Sequence, residues 1–471
     1  MKKILLLVLA GLFCSHLTHA QEKNYQISIT IKGMENKIGL LAYYYADKKY
    51  LKDTLYFNEK GTAEIKGKKN IPDGVYLLAF PSMRYQSFDI LLKETAFTMK
   101  TDTLDFIRHA TFKNTKENQQ MFDDMKFMTE RGVKMDSLRK QQSGTAKNSP
   151  QFEAISEQMK KISDDILQHR KAIIAQYPST FYTRLLKAMT EIEVPDGERK
   201  PDGSLVDTFH QYHYIQQHYF DAIDFADSGY IRSPIFLSKV KNYFSSYVHP
   251  HPDSIIVAVD KVIEKSRVNK EMFQYLLFEL FNQYAKSEIM GHDAIYAHIA
   301  EKYYLSGDVW WVEEKTLKDI RERVEALKPT LIGKYAPNFT VQDSLGKNQT
   351  FHDFLSKYDY TILIFWNSDC GHCQQEIPHL KQVYTDSLKA LNIGVFAVST
   401  EQTDSSFRAF AAQKCAADWV TCADMRGVSS FRREYDVTAT PKLYVIDKNR
   451  KILAKKIPLE KIAEFIRMTK E

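Results

Sequence analysis

The last third of the chain alternates strand-sized apolar runs with stretches that have the pattern of helices. The apolar runs are rich in β-branched and aromatic residues, which favour strands. Alternation of strands with helices is typical of an α/β sheet domain. The predicted strands are residues 361–366, 395–399 and 443–447, and the predicted helices are residues 374–391 and 405–414. We therefore predict a C-terminal α/β domain over residues 329–471, entered through a connector at Pro329.

The region after residue 20 has a different pattern, typical of half-buried strands. Ile27, Ile29 and Ile31 alternate with polar residues, which is the period of a strand with one buried face. Short strand-like runs follow at 40–45 and 75–80, separated by turn-forming residues. This pattern predicts a small antiparallel β-domain over residues 21–110.

The middle of the chain has helical periodicity. An apolar stripe recurs at spacings of three, four and seven, formed by Phe152, Ile155, Met159, Ile162, Ile166 and Ile173. This helix should end before Pro178, because proline disfavours helical geometry in the residue that precedes it. We predict a helical domain over residues 111–328. A chain of 471 residues is longer than one core usually covers, so the predicted fold is a multidomain α+β chain with three parts.

The first twenty residues have the pattern of a signal peptide. Lys2 and Lys3 precede an apolar run over residues 4–13, and small residues suited to cleavage end the segment at residues 18–20. The apolar run is too short for a permanent membrane-spanning helix. We therefore expect export to the periplasm or cell envelope.

The positions of the five cysteines bear on lipid anchoring and on disulfide bonding in an exported chain. Lipid anchoring at Cys14 is disfavoured, because Phe13 stands where a bacterial lipobox needs a small residue. Loss of the signal peptide leaves four cysteines, all in the last third of the chain. Disulfides therefore do not hold the first two thirds together, although an exported chain enters an oxidising compartment.

The charge of the chain does not indicate a nucleic-acid partner. The formal net charge is +6, and no dense tract of lysine and arginine is present.

Cys370 and Cys373 enclose Gly371 and His372 at the junction between a predicted strand and a predicted helix. A cysteine at a helix N-terminus meets unpaired backbone N–H groups and the positive end of the helix dipole. Both stabilise a thiolate, which is the attacking species in disulfide exchange. Cys370 is therefore the predicted nucleophile. Cys373, one turn later and less exposed, is predicted to resolve the mixed disulfide.

Other interpretations of this cysteine pair are half of a zinc site or a structural disulfide. Zinc ribbons need a second ligand pair, and Cys415 and Cys422 are too widely spaced for one, so no metal is expected. Cys415 and Cys422 could form a structural disulfide that closes a short loop, and this is the favoured interpretation. They could also be a second exchange pair or two packed thiols, because spacing alone does not decide.

Several motifs in order make residues 333–471 resemble a thioredoxin-fold domain of the TlpA/ResA-like thiol–disulfide oxidoreductases, in the AhpC/TSA-like group. They are Phe365-Trp366, Cys370-Gly371-His372-Cys373, Glu376-Ile377-Pro378, Thr440-Pro441 and the opening residues 333–339. The two preceding domains resemble, more loosely, the small β-domain and the helical domain of unknown function in secreted Bacteroidetes proteins of this type.

The resemblance implies roles for three further residues. Pro441, preceded by Thr440, would be the cis-proline that lies against the reactive pair and holds a substrate strand. Pro378 would kink the helix that carries the cysteines. Glu376 would be the buried acid that exchanges a proton with Cys373. A physical argument supports the last role, since residues three apart share a helix face and a buried thiol needs a base.

The resemblance implies an exported enzyme that exchanges disulfides with client proteins, most simply as a reductase, and requires no cofactor. The Gly-His dipeptide is found in disulfide isomerases, so an isomerase or oxidase is an alternative. A client-binding scaffold with an idle thioredoxin domain is another. A reductase in an oxidising compartment would need a membrane thiol donor of electrons, and the N-terminal domains could present clients or form a homo-oligomer.

Overall fold

A computed structural model describes residues 25–45, 47–67, 71–401 and 403–469. The predicted signal peptide and Cys14 lie outside these described residues. The chain divides into two compact units, Met1–Tyr243 and Phe244–Glu471. The helices predicted over residues 111–328 are shared between the two units, and the predicted domain limits stay a prediction.

The first unit begins with two four-stranded sheets. Its strands are β1 (Tyr25–Lys32), β2 (Ile38–Tyr45), β3 (Lys48–Tyr56), β4 (Thr62–Gly67), β5 (Gly74–Phe80), β6 (Gln86–Leu92), β7 (Ala96–Asp102) and β8 (Thr111–Lys113). One sheet has the order β4-β1-β7-β8 and the other β3-β2-β5-β6. The alternating isoleucines of β1 are fully buried, which confirms the predicted strand period.

The pairing in these sheets departs from the prediction at one place. Strands β1 and β7 pair in parallel, whereas the other strand pairs of the two sheets are antiparallel. The chain builds the whole second sheet between these two strands, so it has the long connection that a parallel pair needs. Alternation of apolar and polar residues predicts strands, but it does not show that β7 pairs in parallel with β1.

Helices follow the sheets in the first unit. They are α1 (Lys116–Ser143), α2 (Pro150–Gln176), α3 (Phe181–Met189) and α4 (His210–His218), and α5 (Phe236–Ser246) contains the division between the units. Helix α2 carries the predicted apolar stripe. Its N-cap is Ser149, whose side chain accepts a hydrogen bond from the N–H of Phe152. The helix ends two residues before Pro178, as predicted.

The second unit combines four helices with an α/β sheet. The helices are α6 (Pro252–Ser266), α7 (Lys270–Ala285), α8 (His292–Ile299) and α9 (Glu314–Leu327). Together, α6 to α9 are called the helical segment below. The sheet region contains β9 (Thr340–Asp343), β10 (Asn348–Thr350), α10 (Phe351–Leu355), β11 (Tyr360–Trp366), α11 (Gly371–Val383), β12 (Ile393–Ser399), α12 (Asp404–Lys414), β13 (Val420–Ala423), α13 (Phe431–Glu434), β14 (Lys442–Asp447), β15 (Ile452–Lys455) and α14 (Ile462–Met468).

The seven strands of this sheet have the order β10-β9-β13-β12-β11-β14-β15. Strand β11 lies inside the sheet, with β12 parallel on one side and β14 antiparallel on the other. Its alternate side chains point to two separate cores. Ile362, Ile364 and Trp366 pack in one of them, and Leu363 and Phe365 pack in the other. The predicted α/β fold is confirmed, and α11 follows the interior strand β11.

The helical segment is bonded to the sheet region within the second unit. The ammonium group of Lys455, on β15, forms an ion pair with Asp293 on α8 and donates to the backbone oxygen of Thr330 at 2.8 Å. Lys455 is only 5% exposed, so this ion pair lies in the interior. Met290 also packs against one of the two cores of the sheet. Among the described residues, no helix is both long and apolar enough to cross a membrane.

Candidate active site

The predicted pair of reactive cysteines lies at the junction of strand β11 with helix α11. Strand β11 ends at Trp366, a short loop follows, and α11 begins at Gly371 with Cys370 as its N-cap residue. The loop is held from both sides. The backbone N–H of Thr400 donates to the oxygen of Trp366 at 2.8 Å, and the side chain of Gln374 donates to the oxygen of Ser368 at 2.9 Å. Cys370 therefore has a fixed position at the helix N-terminus.

The Cys370 sulfur is partly exposed and surrounded by hydrogen-bond partners. Its Sγ accepts from the backbone N–H of Cys373 at 3.4 Å and lies 3.1 Å from the backbone oxygen of Thr440, to which the thiol donates. Burial opposes ionisation of this thiol. Hydrogen bonds from the backbone and side chain of Cys373, the side chain of Thr440 and the backbone of His372 outweigh burial and lower the pKa of Cys370. A thiol of this kind supplies thiolate at neutral pH more readily than a free cysteine.

Cys373 has the opposite environment on the next turn of the helix. It is fully buried, in the core on the α11 side of the sheet. Burial is the main cause that raises its pKa to about 11, and the nearby Cys370 raises it further. The two thiols are free in this structure, so the site is described in its dithiol form.

The loop that faces Cys370 contains a cis-proline. The Thr440–Pro441 peptide bond is cis, as the family resemblance implies. Lys442 follows directly, and its Nζ donates to the backbone oxygen of Asp436 and to its carboxylate, the latter at 2.9 Å. This ion pair joins the two ends of residues 436–442, called the cis-proline loop below. It thereby holds the Thr440 oxygen that contacts Cys370.

Glu376 is less enclosed than predicted. It lies on α11 one turn after Cys373, but its side chain is half-buried and lines a cavity rather than the core. Among the described residues, no hydrogen-bond or ion-pair partner of its carboxylate is found. The expectation of a buried acid is therefore corrected, because α11 turns this position toward a solvent-accessible cavity. Glu376 keeps its place on the same helix as Cys373.

The remaining predicted site residues surround the cysteines. Trp366 is fully buried, stacks on Phe410 with ring centroids 4.6 Å apart, and has an indole N–H without a partner among the described residues. Gly371 and His372 are exposed in the first turn of α11, and Pro378 lies inside this helix. A side chain at Gly371 would meet nothing within 4 Å. Packing in this structure therefore does not require glycine there.

Two polar residues that support the site were not predicted from the sequence. Glu401 is 7% exposed, and its Oε1 accepts from the backbone N–H of Ser368 at 2.6 Å. It thus fixes the loop before the cysteines. Lys442 is the second, since it clamps the cis-proline loop. Its position next to the Thr440-Pro441 motif was the available signal, whereas Glu401 lies outside every motif.

Cys415 and Cys422 do not form the disulfide that was favoured from the sequence. Both are buried free thiols. Cys415 packs in the core on the α11 side of the sheet, and Cys422, on β13, packs in the core on the other face. Cys415 caps the C-terminus of α12 on one face of the sheet, and the side chain of Cys422 points to the other face, so the sheet itself separates the two sulfurs. Burial raises the pKa of Cys415 to about 11, which disfavours its thiolate.

A cavity of about 410 Å³ lies beside the cis-proline loop. Glu376, Ala439 and Pro441 line it from the sheet region, and residues of α7, α8 and α9 line it from the helical segment. Within the described part of the chain, no group of three or more His, Cys, Asp or Glu side chains is placed to hold a metal ion.

Three known families match successive parts of the chain. Residues 332–455 match the AhpC/TSA family, residues 149–328 match a domain of unknown function, DUF5106, and residues 25–121 match another, DUF4369. The first match covers the sheet region that carries Cys370 and Cys373. The other two carry no described chemistry.

Individual relatives match the same C-terminal region. The thiol–disulfide oxidoreductase ResA of Bacillus thuringiensis subsp. konkukian is 30% identical over 122 residues, which are 26% of this chain and 67% of ResA. The thiol:disulfide interchange protein DsbE homologue of Paracoccus denitrificans is 25% identical over 28% of this chain and 70% of its own. A solved thioredoxin-like protein of Bacteroides caccae is 22% identical over 59% of this chain and 99% of its own, with a TM-score of 0.47.

The family match, the ResA match and the arrangement of the sheet around a Cys-Gly-His-Cys helix start all concern the same residues. The chain belongs to the ResA-like thiol–disulfide oxidoreductases, on a thioredoxin-like fold.

Proposed function

We propose that the chain is an exported reductase that opens disulfides of client proteins through Cys370 and Cys373. The observation that supports this proposal best is that the two thiols differ in exposure and in pKa. Cys370 is partly exposed at a helix N-terminus with a lowered pKa, and Cys373 is buried with a pKa raised to about 11. An attacking thiol and a resolving thiol need this difference.

The proposed reaction has two exchange steps. The Cys370 thiolate attacks one sulfur of a client disulfide, and the other client sulfur leaves as a thiolate that takes up a proton. Glu376 then accepts the proton of Cys373, whose thiolate attacks Sγ of Cys370 and breaks the mixed disulfide. The second client sulfur leaves as a thiolate and takes up a proton, so the client is released as a dithiol. The two electrons given to the client leave a Cys370–Cys373 disulfide, which a membrane thiol donor must reduce again.

The proposal includes export of the chain and a role for its two N-terminal regions in binding partners. The pattern of residues 1–20 supports delivery to the periplasm or cell envelope, where client disulfides form. The two N-terminal regions, matched by DUF4369 and DUF5106, would present clients or join copies of the chain.

An isomerase or oxidase is the second candidate, and one observation favours it. Hydrogen bonds that stabilise the Cys370 thiolate also stabilise the reduced pair, which makes the disulfide form more oxidising. The direction of exchange therefore depends on how strongly these hydrogen bonds stabilise the reduced pair over the disulfide.

Trapping of the mixed disulfide tests the roles of the two cysteines. Cys373→Ser removes the resolving thiol, so we expect a covalent client complex that dithiothreitol releases. Cys370→Ser should form no complex. The matched control is Cys415→Ser, which removes a buried thiol of the same domain and should leave turnover unchanged. Complexes formed equally by Cys370→Ser would contradict the proposed order of attack.

A further inference from the structure

Another cavity, of about 320 Å³, lies among the helices of the first unit. Helices α2, α3, α4 and α5 line it, together with the residues that follow α3 and α4. Its lining residues lie between positions 174 and 239, inside the region that matches DUF5106. The exchange chemistry proposed for Cys370 and Cys373 uses none of them, so this cavity needs an explanation of its own.

The walls of this cavity are mainly apolar. Ile174, on α2, and Ile192, after α3, contribute aliphatic side chains, and Tyr214 and Tyr219 contribute aromatic rings. Tyr219 is buried, and its hydroxyl oxygen accepts a hydrogen bond from the side-chain amide of Asn242 at 2.7 Å. The Tyr219 ring is therefore held in place as part of the wall. Walls of this kind favour a ligand with an apolar body, because contact removes apolar surface from water.

Lys239, on α5, brings an ammonium group to these apolar walls. Its Nζ lies 4.4 Å from the centre of the Tyr219 ring. Among the described residues, its ammonium group forms no ion pair. Burial lowers the pKa of Lys239, because it removes water from the charge. A half-buried ammonium group without a counter-charge is a place where an anion gains more than it does in water.

The other charged side chains of the lining leave Lys239 without a counter-charge. Asp221 pairs with His218, whose Nδ1 lies 2.6 Å from Oδ2 of the carboxylate. Glu191 is exposed to solvent, and neither Glu191 nor Lys187 forms an ion pair within the part of the chain that the structure describes. Lys187 adds a second positive charge to the lining. The cavity therefore combines apolar walls with an ammonium group that is available to a ligand.

We propose that this cavity binds a small organic carboxylate with an apolar body. The carboxylate pairs with the ammonium group of Lys239, and the apolar body lies against Ile174, Ile192 and the ring of Tyr219. The volume is at the lower end of the range of about 300–1,000 Å³ that is usual for ligand pockets, which fits a small ligand. Inorganic anions have no apolar part and use only half of this site. The proposed site goes beyond disulfide exchange and assigns a ligand to the region that matches DUF5106.

Calorimetric titration of the full mature chain with phenylacetate tests this proposal. Phenethylamine carries the opposite charge on a similar body, and acetate carries the carboxylate without the body. Phenylacetate should bind at least about tenfold more tightly than either of them, since only phenylacetate uses both parts of the site. This comparison needs no variant and does not depend on the reactive cysteines. Equal affinities for phenylacetate and phenethylamine, or no binding of phenylacetate at millimolar concentration, would overturn the proposal.

Variants of Lys239 locate the binding in this cavity. Lys239→Met keeps most of the apolar stem and removes the ammonium group, so the affinity for phenylacetate should fall about tenfold. Lys239→Arg keeps the positive charge and should retain binding. Lys241→Met is the matched control, because Lys241 is exposed on the same helix and lies outside the lining. An unchanged affinity in Lys239→Met, or an equal loss in Lys241→Met, would overturn the assignment of the site.

A free acid and the C-terminus of a peptide both supply an apolar carboxylate. Two short peptides that end in leucine, one with a free and one with an amidated C-terminus, separate these sources. If the natural ligand is a peptide C-terminus, the free peptide should bind more tightly than phenylacetate and lose this advantage in Lys239→Met. If it is a free acid, phenylacetate should bind more tightly than both peptides. An amidated peptide that binds as tightly as the free peptide and competes with phenylacetate would contradict recognition of a carboxylate.

Discussion

Single residues decide how the two thiols of the site differ. Cys370 owes its lowered pKa to hydrogen bonds that outweigh burial, and Cys373 owes its raised pKa mainly to burial. The sequence predicted this difference, because a helix N-terminus favours a thiolate in its first residue and a core position disfavours one in the next turn. It did not predict that Glu376 is only half-buried, since three-residue spacing places a residue on a helix face and not inside a core.

The first prediction concerns the reactivity of Cys370 as a function of pH. Alkylation of the reduced chain by iodoacetamide should have its midpoint below the ordinary cysteine pKa of about 8.5. Cys373 should stay unreacted in the folded chain until well above this midpoint, because its pKa is raised to about 11. A Cys370 midpoint that is the same in the native chain and in urea would contradict the account.

The second prediction concerns stability and follows from the same shift. The folded pKa of Cys370 is lowered, so its thiolate stabilises the fold fully above the unfolded pKa of about 8.5, and this contribution disappears as the pH falls through the folded pKa. The free energy of unfolding of the reduced chain should therefore rise with pH below about 8.5, relative to Cys370→Ser. Urea unfolding at several pH values measures the difference, and a decrease over that range would contradict the prediction.

The third prediction concerns Glu376 as the base for Cys373. Glu376→Gln keeps the size of the side chain but removes the proton acceptor, so the mixed disulfide should resolve about a hundredfold more slowly. Quenched-flow alkylation of the complex measures this step. Gln375→Ala, at the exposed neighbouring position, should resolve it at the wild-type rate. Equal rates in Glu376→Gln and the wild type would remove Glu376 from the mechanism.

Elements of secondary structure were more predictable than the contacts between them. The strands β11, β12 and β14 were predicted within two residues, because their local patterns are strong. The helix predicted over residues 374–391 starts three residues earlier than that, and α11 ends eight residues before the predicted end. The pairing of Cys415 with Cys422 was wrong, since the sequence does not show that the end of α12 and the side chain of Cys422 lie on opposite faces of the sheet. The parallel pair of β1 and β7 was missed for a similar reason, because register is a property of two distant segments.

The fourth prediction concerns the cis-proline loop. Lys442→Met removes the ion pair with Asp436 that joins the ends of this loop, so the Thr440 contacts should loosen and the pKa of Cys370 should rise. Lys455→Met is the matched control. It too removes a lysine from an acidic partner, but this lysine lies outside the loop. Thiolate absorbance near 240 nm should shift to higher pH in Lys442→Met alone, and equal shifts in both variants would contradict a positioning role.

At the scale of the whole molecule, the second unit includes helices that the sequence placed in a separate domain. The sequence pattern changes near Pro329, and this change was read as a boundary. The ion pair of Lys455 with Asp293 crosses that point and is buried, so the segments on its two sides are in close contact, and the predicted boundary stays a prediction. A change of pattern marks a change of secondary structure, and only packing shows whether two segments share one core.

The fifth prediction tests this packing in the full chain. Asp293→Asn leaves Lys455 buried without a counter-charge, which should destabilise the second unit by about 3 kcal/mol. Glu288→Gln is the matched control, because its ion pair with Lys456 is largely exposed and should contribute less than about 1 kcal/mol. Hydrogen exchange should accelerate together in α8 and β15 of Asp293→Asn. Acceleration in α8 alone would contradict a shared core.

The reduction potential of the Cys370–Cys373 pair tests the central claim most directly. It is measured on the full mature chain by equilibration with glutathione or dithiothreitol buffers, followed by alkylation of the free thiols. The account predicts a value near or below about −250 mV, as expected of a reductase that depends on a dedicated donor. A value near or above about −180 mV would contradict the reductase assignment and identify the enzyme as an isomerase or oxidase.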